Sequence, residues 1–169
     1  MTKTNFQEPK VINIITKAVL DVEDSYFMRS TTWADDFHQI RYFPRVEHSS
    51  LPVIVGIPNK CNHYTVKEAI SECLEFYDQH NVTPCYVFLC VGELDLIGLS
   101  PSFINSKWYE FDSYIWAEMC LFIPKGDMNR PMDPLIALTW FLANYKDKNV
   151  LEDNDDPTVR LLNALESKP

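Results

Sequence analysis

Glycine is scarce. The 169-residue chain holds four, well under the ~7% of an average protein. No GxGxxG, phosphate-loop or nucleophile-elbow pattern can be found, which argues against the common nucleotide-binding enzymes and the α/β-hydrolases. Long apolar runs are missing as well. The longest, 52–58 and 86–91, have strand length and fall far short of the ~20 residues of a membrane span. The first nine residues are polar and lack a signal-peptide core. Positive charge is in deficit: 15 Lys and Arg against 24 Asp and Glu give 15 − 24 = −9. Phosphate backbones and anionic lipid surfaces repel such a chain, so neither a nucleic acid nor a membrane is an expected partner. A basic protein or a cation is favoured instead. The five cysteines (61, 73, 85, 90 and 120) are odd in number, and most sit in apolar runs. They point to reduced thiols in a cytoplasmic protein, with no structural disulfide.

Eleven prolines do the punctuation that glycine does not. Val11, Ile14, Ile15, Ala18 and Val19 recur at helical spacing after Pro9, which predicts a helix over 9–20. Residues 1–8 read as a frayed end. FHQIRYFPRV (37–46) reads as a strand interrupted at Pro44, and PVIVGI (52–57) as a strand buried on both faces. Thr65 and Glu68 have capping-box spacing at the head of a helix over 66–79. Its apolar stripe is Val66, Ala69, Ile70, Cys73 and Tyr77, with Glu72, Glu75 and Asp78 facing away. CYVFLCV (85–91) completes a β-α-β unit over 52–91. ELDLIGL (93–99) alternates like a strand, and one or two more strands are expected within 108–123. Asp133-Pro134 and Asp156-Pro157 each pair a cap with proline at the first helical position.

Those elements predict an α/β or α+β fold with a mixed sheet of about five strands and about four helices. A single globular domain spans 9–150. Residues 151–169 form an acidic linker and a short helix, which is a candidate docking or dimerisation element.

Carboxylates form the sharpest constellation. Glu93 and Asp95 leave one face of a predicted strand, and Glu110 and Asp112 repeat the spacing on the next. If the two strands pair as a hairpin, four like charges share a face and call for a basic partner or a divalent cation. A solvated outer face is the plain alternative. Trp108 beside those acids adds an aromatic anchor of the kind found at binding hot spots. Glu152, Asp153, Asp155 and Asp156 form a second acidic cluster. Cys61 and His63 put a thiol near an imidazole, the minimum for a cysteine nucleophile and its base. His63-Tyr-Thr65 matches the H-x-T element of two-histidine phosphoesterases, but no histidine follows His80 to supply the second element.

The string Gly92-Glu-Leu-Asp-Leu-Ile97 resembles the GE-x-DLI strand of restriction-endonuclease-like nucleases. Over those six residues the resemblance implies an acid that binds metal. In that family a downstream E-x-K adds a second acid and a lysine. This chain departs from the pattern: Glu118 is followed by Met119 and Cys120. With the lysine missing and nine net negative charges, nuclease action is not expected.

Acids are spread over several elements and no convergent catalytic motif stands out. The residues therefore favour a binding protein. It would recognise and block a basic protein through an acidic, aromatic-rich face, as immunity, anti-defence and chaperone proteins do. A second copy of the chain is a further candidate partner. No cofactor and no resident metal are expected. The alternative is a small hydrolase or transferase that uses a carboxylate-bound metal or the Cys61/His63 pair.

Overall fold

The computed structural model describes residues 3–33, 37–105, 107–127 and 132–167, with backbone alone for residues 3 and 4. A seven-stranded mixed sheet forms the centre. Its strands are β1 (Tyr26–Trp33), β2 (Phe37–Pro44), β3 (Val53–Pro58), β5 (Cys85–Cys90), β7 (Ser102–Ile104), β8 (Trp108–Phe111) and β9 (Met119–Pro124), in the order β1-β2-β3-β5-β9-β8-β7. The three central strands, β3, β5 and β9, run parallel, and antiparallel strands flank them on both sides. β4 (Lys60–Cys61) and β6 (Glu93–Leu94) form a separate two-residue ladder. The helices are α1 (Pro9–Leu20), α2 (His63–His80), α3 (Pro134–Asn144), α4 (Lys148–Glu152) and α5 (Pro157–Glu166). The α/β expectation holds, with more strands than the five foreseen.

β3 and β5 are buried at every position because both faces of the sheet are covered. Strand alternation sends Val53, Val55, Val87 and Leu89 to one side, where α1, α3 and α5 pack. Ile54, Tyr86, Phe88 and Cys90 go to the other, under α2. The β3-α2-β5 crossover matches the expected 52–91 unit. Its helix begins three residues earlier than expected, however. Asn62 is the cap and accepts from the amides of Tyr64 and Thr65, while the Thr65 hydroxyl accepts from Asn62 N–H. Asn caps at least as well as Thr, and a Thr hydroxyl can close the box in place of Glu. The buried stripe of α2 is Val66, Ala69, Cys73 and Phe76, and Tyr77 is exposed.

α1 has its expected bounds and stops at Asp21, which takes a left-handed conformation and pairs with Lys17 at 3.0 Å. The frayed end expected over 1–8 is tied down: Lys3–Gln7 forms a 3-10 turn, Phe6 is fully buried, and Tyr42 Oη donates to its carbonyl. Residues 1–2 lie outside the described residues. At the other terminus α5 buries Val159, Leu162 and Leu165 in the same core as α1 and α3. That face is therefore occupied within the chain, and the docking or dimerisation role foreseen for this helix is not carried by it. β1 was not expected as a strand. It pairs with β2 along its whole length but skips Arg29, where a bulge falls between Met28 and Ser30. Among the described residues, no helix is long and apolar enough to cross a membrane.

Candidate functional site

The two carboxylate pairs do not form a hairpin face. Glu93 belongs to the β4/β6 ladder beyond the C-terminal end of β5. Asp112 follows β8, whose last residue pairs with Cys120 near the start of β9. The pairs therefore stand about one six-residue strand apart, roughly 17 Å at ~3.3 Å per residue. ELDLIGL fails as a longer strand because Asp95 turns the chain: its carboxylate accepts from Ile97 N–H at 3.2 Å. Glu93 is neutralised locally by Lys60 at 2.9 Å. The six residues that resemble a nuclease strand thus lie outside the main sheet.

Asp112 repeats the device of Asp95. Its carboxylate accepts from Tyr114 N–H at 3.3 Å. In both loops an acid closes an Asx turn and presents the apolar side chain two residues on. Ile97 is 87%, Tyr114 92% and Ile115 81% exposed. Each loop is fastened from beneath. Leu96 and Leu99 from one, and Trp116 and Ala117 from the other, enter the hydrophobic cluster below α2. The tips therefore emerge on the α2 side of the sheet. α2 adds exposed Tyr64, Leu74 and Tyr77 to that side, together with Glu68, Glu75, Asp78 and one cation, Lys67, whose Nζ lies 6.0 Å from the Tyr64 ring. Glu118 is exposed on the β8–β9 loop. The result is an acidic face studded with aromatic and aliphatic side chains, built from different residues than expected. Ile97, Tyr114 and Ile115 were missed. The signal for them is the repeated Asp-x-apolar spacing, in which the acid shapes a turn and the apolar group stands free.

Trp108 is 9% exposed and belongs to the opposite core, with Lys107 Nζ 5.6 Å from its ring. It is a packing residue, since β8 alternation turns it away from the α2 side. Glu110 is half-buried in mid-strand, opposite Leu121. In the second acidic cluster, Asp156 caps α5 by accepting from Thr158 and Val159 N–H, and Asp155 pairs with Arg160. Glu152 and Asp153 are exposed at the end of α4. Cys61 is fully buried, with its Sγ 2.8 Å from Cys90 Sγ. His63 is exposed and its ring lies 3.9 Å from that of Tyr64. A substrate at the imidazole therefore has no surface path to this thiol, as a nucleophile and base would need. Among the described residues, no group of three or more His, Cys, Asp or Glu is placed to hold a metal ion.

The platform under this face is braced by one polar network. Glu72, expected to face solvent, instead turns inward. Arg41 Nη2 donates to it at 3.1 Å and Tyr86 Oη at 3.3 Å, while Arg41 Nε donates to Gln39 at 3.3 Å. Burial pushes the Glu72 carboxyl above the usual range, against the pull of Arg41. Burial, then the nearby Glu72 charge, raises the Tyr86 phenol. Space for the phenol comes from Gly56, where a Cβ would stand 2.9 Å from Tyr86 Oη.

Comparison with protein families, with curated proteins and with solved structures finds no match.

Proposed function

We propose that the protein is a binding module that recognises a basic protein through its α2-side face. The observation that carries this reading is the pair of Asx turns at Asp95 and Asp112, which hold Ile97 and Tyr114 out in solvent. Large apolar side chains held out in water, and rimmed by charge, have the composition of a recognition patch. Restraint before contact lowers the ordering cost of association. Acids around the patch steer a basic partner into register and slow the approach of acidic proteins. Blocking follows if the apolar tips enter a groove that the partner uses for its own substrate.

The test is capture from a lysate of the source cell on the immobilised chain, at low and at high salt. Ile97→Ser/Tyr114→Ser/Ile115→Ser serves as the control surface, with its melting temperature checked. The expected result is one basic protein in stoichiometric amount, weakened by salt and lost on the control surface. Equal recovery on both surfaces would overturn the assignment of this face.

A further inference from the structure

A second site stands at the C-terminal end of α2, where a cleft of about 470 Å³ opens between β1, β2 and the 45–52 loop. That volume lies in the range of small-molecule sites. Its apolar lining comes from Phe27, Phe43, Leu51 and Val82. Phe27 and Phe43 face each other across the β1/β2 register. Its polar lining is cationic, which is unusual in a chain of charge −9.

Arg29 is the residue that the β1 bulge leaves unpaired. A bulge re-aims a side chain, and here the guanidinium lies over the Phe43 ring, 4.7 Å from its centroid. A guanidinium held over a ring by cation–π attraction has not spent its N–H groups, which remain donors for a carboxylate or phosphate. Arg45 lines the same cleft, its backbone N–H donating a hydrogen bond to the Ser25 carbonyl at 2.7 Å. Four arginines are described. Arg41 holds Glu72 and Arg160 holds Asp155. Arg29 and Arg45 have no carboxylate within 4.0 Å among the described residues.

His80 is the last residue of α2, its ring 4.4 Å from Phe76 and 5.5 Å from Phe43. Burial first, then Arg29 and Arg41, lower its pKa. The imidazole thus already senses the positive potential that an anion would relieve. Two features oppose an anion. The C-terminus of α2 carries about half a negative charge, and Glu47 lines the rim, 3.9 Å from His48. Arg29, Arg45 and Glu47 are all exposed and screened alike by water, so two guanidinium charges stand against one carboxylate and the half charge of the helix end, and the balance stays positive.

We propose that this cleft binds a small organic anion with a flat apolar body. The body lies on Phe27, Leu51 and Val82, beside the Phe43 ring that Arg29 covers, and the carboxylate or phosphate monoester is clasped by Arg29 and Arg45. The cleft borders the α2 end of the protein-binding face but takes a different class of ligand.

The test is an amide chemical-shift titration of the whole chain with three probes of one shape: 2-naphthoate, 2-naphthyl phosphate and neutral 2-naphthylmethanol. The expected result is saturable shifts at residues 27–29, 43–52 and 80–82. At least one anion should bind about tenfold more tightly than the alcohol, a factor in keeping with one charge-assisted contact. The better anion names the head group. In Arg29→Gln/Arg45→Gln, whose fold is verified by its spectrum, the preference should vanish while the alcohol binds as before. Three results would each overturn the proposal: no saturable shifts at millimolar probe, equal binding of anion and alcohol to the unaltered chain, or an anion preference that survives the double substitution.

Discussion

Arg41→Met removes the cation from the Glu72 network and keeps most of the side-chain volume. It leaves a carboxylate beneath α2 with Tyr86 Oη, at 3.3 Å, and Gln39 as its remaining side-chain donors. A hydrogen bond to a charged group contributes about 1.5–3 kcal/mol. Breaking a fully buried pair costs about 3–5 kcal/mol. The Arg41 and Glu72 side chains are 29% and 15% exposed, so the lower range applies and about 2 kcal/mol is expected at pH 7.5. For a domain of this size, that lowers the melting temperature by about 4–8 °C. The pH dependence separates this cause from lost packing. Glu72 already has a folded-state pKa above its ordinary value, and loss of Arg41 raises it further. A raised carboxyl binds its proton more tightly in the folded state. The cost of ionising it is absent below the unfolded pKa and grows as pH rises through the folded one. The penalty of Arg41→Met should therefore shrink between pH 7.5 and pH 5.5 in paired urea titrations of variant and parent. A penalty equal at both values, or one under about 0.5 kcal/mol, which is within the range of an ordinary surface change, would refute the reasoning.

Further outcomes follow from single contacts. A Cβ at Gly92 would lie 1.9 Å from the Asn59 carbonyl oxygen, so Gly92→Ala should cost at least ~2 kcal/mol in a thermal melt; a neutral result would contradict the close approach of those two segments at the head of the β4/β6 ladder. Gly98 has φ +80° and open space around its Cβ position, so Gly98→Ala should cost only the left-handed strain, about 1 kcal/mol. Trp108→Ala should destabilise the fold by about 3–5 kcal/mol, whereas a surface anchor would lose binding with its stability intact. Asp156→Ala should cost about 1 kcal/mol through the α5 cap, read by chemical denaturation. All five thiols are buried, and burial foremost pushes Cys85 up to about 12 and raises Cys73, Cys90 and Cys120 as well. Ellman's reagent should find no fast-reacting thiol in the native protein and five after unfolding.

Much of the frame was legible because its signals are local. Pro9, Pro134 and Pro157 mark first helical turns, VIVGI marks a strand covered on both faces, and CYVFLC marks the strand that closes the crossover. β1 was not legible. It is an edge strand whose outer residues are polar, and its bulge at Arg29 breaks the period of two. ELDLIGL misled for the opposite reason. Its alternation is real, yet only Glu93 and Leu94 join a ladder, and Leu96 and Leu99 pack as loop residues because the Asp95 turn takes the Ile97 amide away from any ladder. Whether Glu72 faced water or Arg41 depended on the side of the sheet that α2 covers, which is a long-range fact. The cationic cleft was hidden likewise, since Arg29, Arg45 and His80 lie on three elements and meet only in the fold.

The central claim is that Ile97, Tyr114 and Ile115 form the contact surface. The most direct measurement is the affinity of the captured partner for three chains: the parent, Ile97→Ser/Tyr114→Ser/Ile115→Ser, and Glu152→Lys/Asp153→Lys on the α4 side. Loss of about 1 kcal/mol per anchor predicts roughly a hundredfold weaker binding for the triple variant, with the α4-side variant binding like the parent. Weakening by the α4-side changes alone would place the contact on the second acidic cluster and contradict the account.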